Sequence, residues 1–108
     1  MGNSTVDITM YWRPGCGFCA ALQRRLDDLG VPYEQVNIWE DPAGAEFVRQ
    51  ANGGNELVPT MAVGQQVLGN PSADQVLRAV HTQDPESDVP APPEPGRLAK
   101  GITRLLGG

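Results

Sequence analysis

Residues 5–30 read TVDITMYWRPGCGFCAALQRRLDDLG, and the change of pattern inside that stretch decides the fold. Thr5 to Met10 alternates polar and apolar, so Val6, Ile8 and Met10 share one face of a strand, which delivers Tyr11-Trp12-Arg13-Pro14-Gly15 as a loop. From Gly17 the period becomes helical. Cys19, Leu22, Leu26 and Leu29 recur at three and four residues, Arg24, Arg25, Asp27 and Asp28 take the other face, and Gly30 with Pro32 supplies the stop. The only two cysteines of the chain, Cys16 and Cys19, lie at this junction of strand, loop and helix.

Their placement points to redox chemistry. A thiol at a helix N-terminus meets unpaired backbone N–H groups and the positive end of the helix dipole, and both favour thiolate over thiol. Cys16 is the expected nucleophile, with Arg13 able to add its charge if it points inward. Cys19, one turn into the helix and on its apolar stripe, is expected to be more buried and less acidic. It suits a resolving thiol that attacks a mixed disulfide held on Cys16. The alternative is that the pair packs merely as two small hydrophobes. A zinc site needs two further soft or imidazole ligands at short spacing, and the single histidine, His81, is far away, so no metal site is expected. His81 closes a helical pattern, where a surface or C-capping role fits better than pairing with Cys16.

The rest of the chain extends the pattern outward. Tyr33 to Ile38 reads as a second strand, followed by a helix opened by Asp41-Pro42 and closed by Asn52-Gly53-Gly54-Asn55. Strand, helix, strand implies a parallel pair joined by a right-handed crossover. Thr60 to Val63, a Gly64-Gln65 turn and Gln66 to Leu68 form a short hairpin, and Pro71-Ser72-Ala73-Asp74 starts a last helix through Val76, Leu77 and Val80. The expected order is β-α-β-α-β-β-α over residues 1–83.

Composition changes after Gln83. Five prolines among acidic and small residues mark 84–96 as an extended, solvated linker that ends the domain. Beyond it, residues 97–108 carry a short amphipathic stripe of Leu98, Ile102 and Leu105, too short to be helical in water unless docked. At 108 residues with a net charge of −5, the chain holds one domain and offers no basic surface for nucleic acid. It has no apolar run of membrane-spanning length, and residues 1–5 lack the features of a secretory leader, so a cytoplasmic protein with no membrane partner is expected. In that compartment a lone Cys-x-x-Cys is kept mostly as a dithiol and reads as catalytic.

The strand, the Cys16-Gly17-Phe18-Cys19 turn, Val58-Pro59-Thr60 and Gly69-Asn70-Pro71-Ser72-Ala73-Asp74 together resemble the glutaredoxin branch of the thioredoxin fold, over roughly residues 5 to 82. Within that branch the phrases Glu46-Phe47-Val48 and Asn52-Gly53-Gly54-Asn55 are similar to those of actinobacterial mycoredoxins, with Phe18 a departure from their usual tyrosine. The resemblance implies a four-stranded mixed sheet flanked by helices and a cis peptide bond at Val58–Pro59 beside the dithiol. It also implies a substrate surface built from Trp12, Arg13, Phe18, Val58, Pro59, Asn70, Ser72 and Asp74. In this reading Asn70 to Asp74 offer N–H groups and a hydroxyl to a ligand, or simply cap the helix.

Departures from neighbouring branches narrow the expected activity. Glutathione-dependent members usually have proline after the first cysteine and Gly-Gly before the last helix, where Gly17 and Gly69-Asn70 stand here. Redoxins fed by thioredoxin reductase carry a Trp-Ser-Gly-Phe-type phrase before that helix, and this chain lacks it. The resemblance therefore implies a thiol–disulfide oxidoreductase acting as a monomer on mixed disulfides between proteins and a low-molecular-weight thiol. Mycothiol is the expected co-substrate, glutathione the substitute, and no cofactor is bound. The alternatives are a protein-disulfide reductase coupled to thioredoxin reductase and an iron–sulfur cluster scaffold of the glutaredoxin type.

Overall fold

The computed structural model describes residues 6–92 of the 108-residue chain. The stripe at Leu98, Ile102 and Leu105 lies outside the described residues. Seven elements follow in the expected order: β1 (Ile8–Trp12), α1 (Gly17–Asp28), β2 (Glu34–Asn37), α2 (Pro42–Ala51), β3 (Thr60–Val63), β4 (Gln66–Gly69) and α3 (Ala73–Gln83). They build one four-stranded mixed sheet in the order β2-β1-β3-β4, with β1 and β2 parallel and the other pairs antiparallel.

Strand β1 begins later and runs further than the polar–apolar alternation suggests. Tyr11 and Trp12, expected in the loop, pair with Val36 and Asn37 of β2, and Tyr11 also faces Thr60 of β3. Aromatic side chains suit a pleated, half-buried surface, and the sheet extends along them until Arg13-Pro14 ends it. The alternation then sorts the two faces. Ile8 and Met10 join Leu22 and Leu26 of α1 and Val76, Leu77 and Val80 of α3 in the larger core. Tyr11 turns to the opposite face, toward Ala45 and Val48 of α2, and its ring stacks on Phe47 at 4.8 Å between centroids. Removing each such Val or Leu from water contributes roughly 1.5–3 kcal/mol, which is what holds helices on both faces of so small a sheet.

The helix ends are built from residues whose chemistry demands them. Asp41 caps α2, accepting from the Ala43 and Gly44 N–H groups, with Pro42 in the first turn. Gly30, at φ +73°, closes α1: its N–H reaches the Asp27 carbonyl and the Val31 N–H reaches that of Leu26, satisfying carbonyls the helix leaves open. Ser72 and Gln75 form a reciprocal capping box at the start of α3.

The stretch that composition marks as solvated linker comes back to the domain within its described part. After a turn at Asp84–Ser87, Val89 is 7% exposed and joins the larger core. His81 does not cap its helix; its Nε2 meets the carbonyls of Val89 and Pro90 and holds this return in place. Proline content alone cannot show that one valine in the run finds an apolar hollow. Among the described residues no helix is long and apolar enough to cross a membrane.

Candidate active site

Strand polarity brings the site together. The C-terminal ends of β1 and β2, the N-terminal end of β3 and the C-terminal end of β4 all lie along one edge of the sheet, because Tyr11 pairs with Thr60 and Thr60 with Gly69. Cys16, Val58–Pro59 and Asn70 are carried on loops leaving that edge. The sequence-expected residues from β1, α1, β3 and β4 are thereby neighbours in space.

Cys16 is the N-cap of α1, with extended backbone at φ −90° and ψ 107°. Its Sγ accepts a hydrogen bond from the Cys19 N–H at 3.1 Å, so an unpaired donor of the first helical turn is aimed at the sulfur. On the other side the Cys16 thiol points to the Val58 carbonyl at 3.7 Å. Both thiols are free, Cys16 half-buried and Cys19 2% exposed. Burial pushes the Cys19 thiol up to about 12, with further raising from its hydrogen bond with Cys16 and from the charge there.

Arg13 reaches the second sulfur of the pair. Its main chain hydrogen-bonds Cys19 and its charge favours the Cys19 thiolate, partly opposing the burial. The two sulfurs are thus unequal in a defined way. One is accessible and faced by a backbone donor; the other is enclosed and held neutral.

The remaining expected residues divide into three groups. Phe18 stands 70% exposed on the first turn of α1, and Trp12 packs against both cores, including the one that contains Cys19. The Val58–Pro59 bond is cis, yet Val58 is 8% exposed and Pro59 is fully buried, so what this loop offers Cys16 is the Val58 backbone rather than its side chains. Asn70, at φ +47°, donates its N–H to the Pro59 carbonyl at 2.7 Å. Ser72 is occupied by the cap: its hydroxyl accepts from the Gln75 N–H and its own N–H donates to the Gln75 side chain. Asp74 lies half-buried in the first turn of α3, where a carboxylate suits the helix dipole.

Sequence reasoning missed several neighbours. Ile38 and Val48 wall the cysteines from the α2 side, and Trp39, just past β2 on the same sheet edge, is 64% exposed. Thr60 is fully buried and hydrogen-bonded to the loop before Pro59. The helical period could have marked Val48 as core. Thr60 falls in the Val58-Pro59-Thr60 phrase, but its hydrogen bond with Asn52 of the preceding helix end is not visible in the sequence.

A Cys-x-x-Cys at a helix N-terminus, facing a cis-proline loop on a mixed four-stranded sheet, defines a thioredoxin-fold dithiol protein. Comparison with known proteins narrows the class: the glutaredoxin family model matches residues 8–68, and the chain belongs to the glutaredoxin family. A Mycobacterium tuberculosis (strain H37Rv) protein bearing the glutaredoxin name is 41% identical over 73 residues, 67% of this chain and 87% of that protein. Mycoredoxin 1 of Corynebacterium glutamicum is 29% identical over 75 residues, 68% of this chain and 92% of that protein. Among solved structures, the glutaredoxin-like NrdH-redoxin of Escherichia coli, described by a thioredoxin-like activity profile, superposes with a TM-score of 0.57 at 29% identity, covering 67% of this chain and 92% of that one. The chain is a mycoredoxin-like glutaredoxin and a thiol–disulfide oxidoreductase, as the motifs imply.

Proposed function

We propose that this protein reduces mixed disulfides between proteins and a low-molecular-weight thiol, mycothiol in the first place, with Cys16 as nucleophile and Cys19 as the resolving thiol. The supporting observation is the inequality of the two sulfurs: Cys16 is only half-buried, with a backbone donor at 3.1 Å, and Cys19 is buried and held neutral. Similarity to Mycoredoxin 1 supports mycothiol as the thiol.

In this reading the Cys16 thiolate attacks the low-molecular-weight sulfur of the mixed disulfide. The bond from that sulfur to the protein breaks, a bond to Cys16 forms, and the protein leaves as a thiolate that takes up a proton. A second molecule of the thiol, as thiolate, then attacks the low-molecular-weight sulfur on Cys16, leaving a symmetrical disulfide and restoring Cys16. Cys19 competes by attacking the Cys16 sulfur, which expels the small thiolate and closes an internal disulfide. The raising influences that Cys16 exerts on Cys19 end once the Cys16 sulfur is tied into the mixed disulfide, while the lowering influence of Arg13 remains, so Cys19 becomes more available at that stage. Phe18, Trp12, Asn70, Ser72 and Asp74 form the surface around the bound thiol. The protein acts as a monomer in the cytoplasm, on thiolated or oxidised proteins.

The 29% identity to NrdH-redoxin favours a second reading, a protein-disulfide reductase served by thioredoxin reductase. The two are separated by one assay of a thiolated protein substrate. Mycothiol with its reductase, glutathione with its reductase, and thioredoxin reductase alone are run side by side. Turnover supported best by mycothiol is the expected result; turnover with thioredoxin reductase only would replace the first reading by the second.

A further inference from the structure

The Val58 carbonyl that faces Cys16 is held by a hydrogen-bond chain that starts at the far end of α2. Asn52, the C-cap of that helix, donates from Nδ2 to the Val48 carbonyl at 2.8 Å and to Thr60 Oγ1 at 3.2 Å. The Thr60 hydroxyl, fully buried, donates in turn to the Leu57 carbonyl at 2.6 Å. From the other side the Asn70 N–H holds the Pro59 carbonyl at 2.7 Å. The carbonyls before and after Val58 are therefore both fixed, and the one between them is turned toward the Cys16 sulfur. Gly69 closes the arrangement. A Cβ there would lie 2.8 Å from Asn52 Oδ1 and 2.9 Å from Leu57 Cδ2, so the end of β4 packs directly on the clamp.

We infer that Asn52 and Thr60 are positioning residues for thiol–disulfide exchange. They touch neither sulfur, and act by holding the loop edge against which an incoming disulfide must line up with Cys16. The inference rests on Cys16 being the attacking thiol. A buried threonine tied to a helix-capping asparagine could serve stability alone, so the distinguishing property is alignment. Exchange needs the attacking and leaving sulfurs placed relative to one another, whereas attack on a small freely tumbling alkylating agent needs only the Cys16 sulfur.

The test compares Thr60→Val, which removes the hydroxyl at nearly constant shape, with Thr60→Ser, which restores it. Gly69→Ala serves as a second perturbation that presses on the clamp from outside without deleting a buried group. Each full-length variant is assayed for reduction of a mycothiolated protein, for cleavage of the mixed disulfide of cysteamine with a chromogenic thiol, and for iodoacetamide alkylation of Cys16. An ångström of misplacement costs roughly a hundredfold, so partial loosening should lower kcat/KM for both disulfides by about tenfold in Thr60→Val and Gly69→Ala. Alkylation of Cys16 should stay within about twofold, and Thr60→Ser should recover most of the exchange activity. Exchange that remains at the wild-type level in Thr60→Val and Gly69→Ala, or that falls only in step with alkylation, overturns the inference. Failure of the underlying reading looks different: wild-type protein and Cys16→Ser would then cleave the disulfides equally well.

Discussion

Cys19 should be close to inert in the folded, reduced protein, although it lies three residues from a reactive thiol. Burial and the neighbouring Cys16 push its thiol up to about 12. An exposed cysteine at about 8.5 is roughly one-tenth thiolate at pH 7.5, and a thiol at 12 only about 3 × 10⁻⁵, a ratio of about three thousand. Since the thiolate is the reacting species, native Cys19 should be alkylated by iodoacetamide about 10³-fold or more slowly than the same residue in 6 M guanidinium. Peptide mapping by mass spectrometry, after timed quenching, follows each cysteine separately. The rate at Cys19 should climb about tenfold per pH unit from pH 8 to 10.5 without a plateau.

The same shift makes stability pH-dependent, and its sign is definite. A folded value above the unfolded one means that the contribution is complete below about pH 8.5 and is lost as pH rises toward 12, a loss of about 2 kcal/mol by pH 10. Tyr33, raised to about 12 by burial and then by Asp27, adds a loss of the same sign that begins near pH 10. Comparing thermal melts of wild-type and Cys19→Ser protein between pH 7 and 10 isolates the cysteine, and the wild type should lose more. Native Cys19 modified as fast as in guanidinium, or a rate plateau near pH 9, would refute the picture of an enclosed neutral thiol.

Two further outcomes concern the scaffold. Gly30→Ala places a Cβ in open space at φ +73°, so its cost is backbone strain alone, about 1 kcal/mol and a fall of roughly 5 °C in Tm, with turnover unchanged. Val89→Ala removes two buried methyl groups and should cost about 1.5 kcal/mol by denaturant titration, again without loss of turnover; an unchanged midpoint would mean that Val89 is no part of the core.

Local chemistry carried much of the fold into view. The three- and four-residue spacing of Cys19, Leu22 and Leu26, the cap at Asp41-Pro42, the stop at Gly30 and the opening of α3 at Ser72 each depend on residues a turn or less apart. Such signals survive in a one-dimensional reading. The dithiol was legible for the same reason, since its meaning lies in a strand, a loop and a helix that are consecutive. What stayed hidden depends on distance across the fold. The hydrogen bond between the Arg13 main chain and Cys19 depends on the path the loop takes, which its sequence does not show. Asn52 and Thr60 are eight residues apart and read separately as a helix stop and a strand start. Val89 sits among prolines and acids whose average conceals it. The extension of β1 through Tyr11 and Trp12 was masked by the Arg13-Pro14-Gly15 turn, which draws the apparent loop backwards.

In the proposed mechanism Cys16 carries the small thiol, and an external thiol can complete the cycle without Cys19. Peptide mapping of the Cys19→Ser variant after exposure to mycothiol disulfide, alongside turnover of a mycothiolated protein by Cys19→Ser and Cys16→Ser, tests this most directly. One mycothiol on Cys16, sustained turnover by Cys19→Ser and none by Cys16→Ser are the expected results; a Cys19→Ser variant that bears no adduct, or is as inactive as Cys16→Ser, would contradict this mechanism.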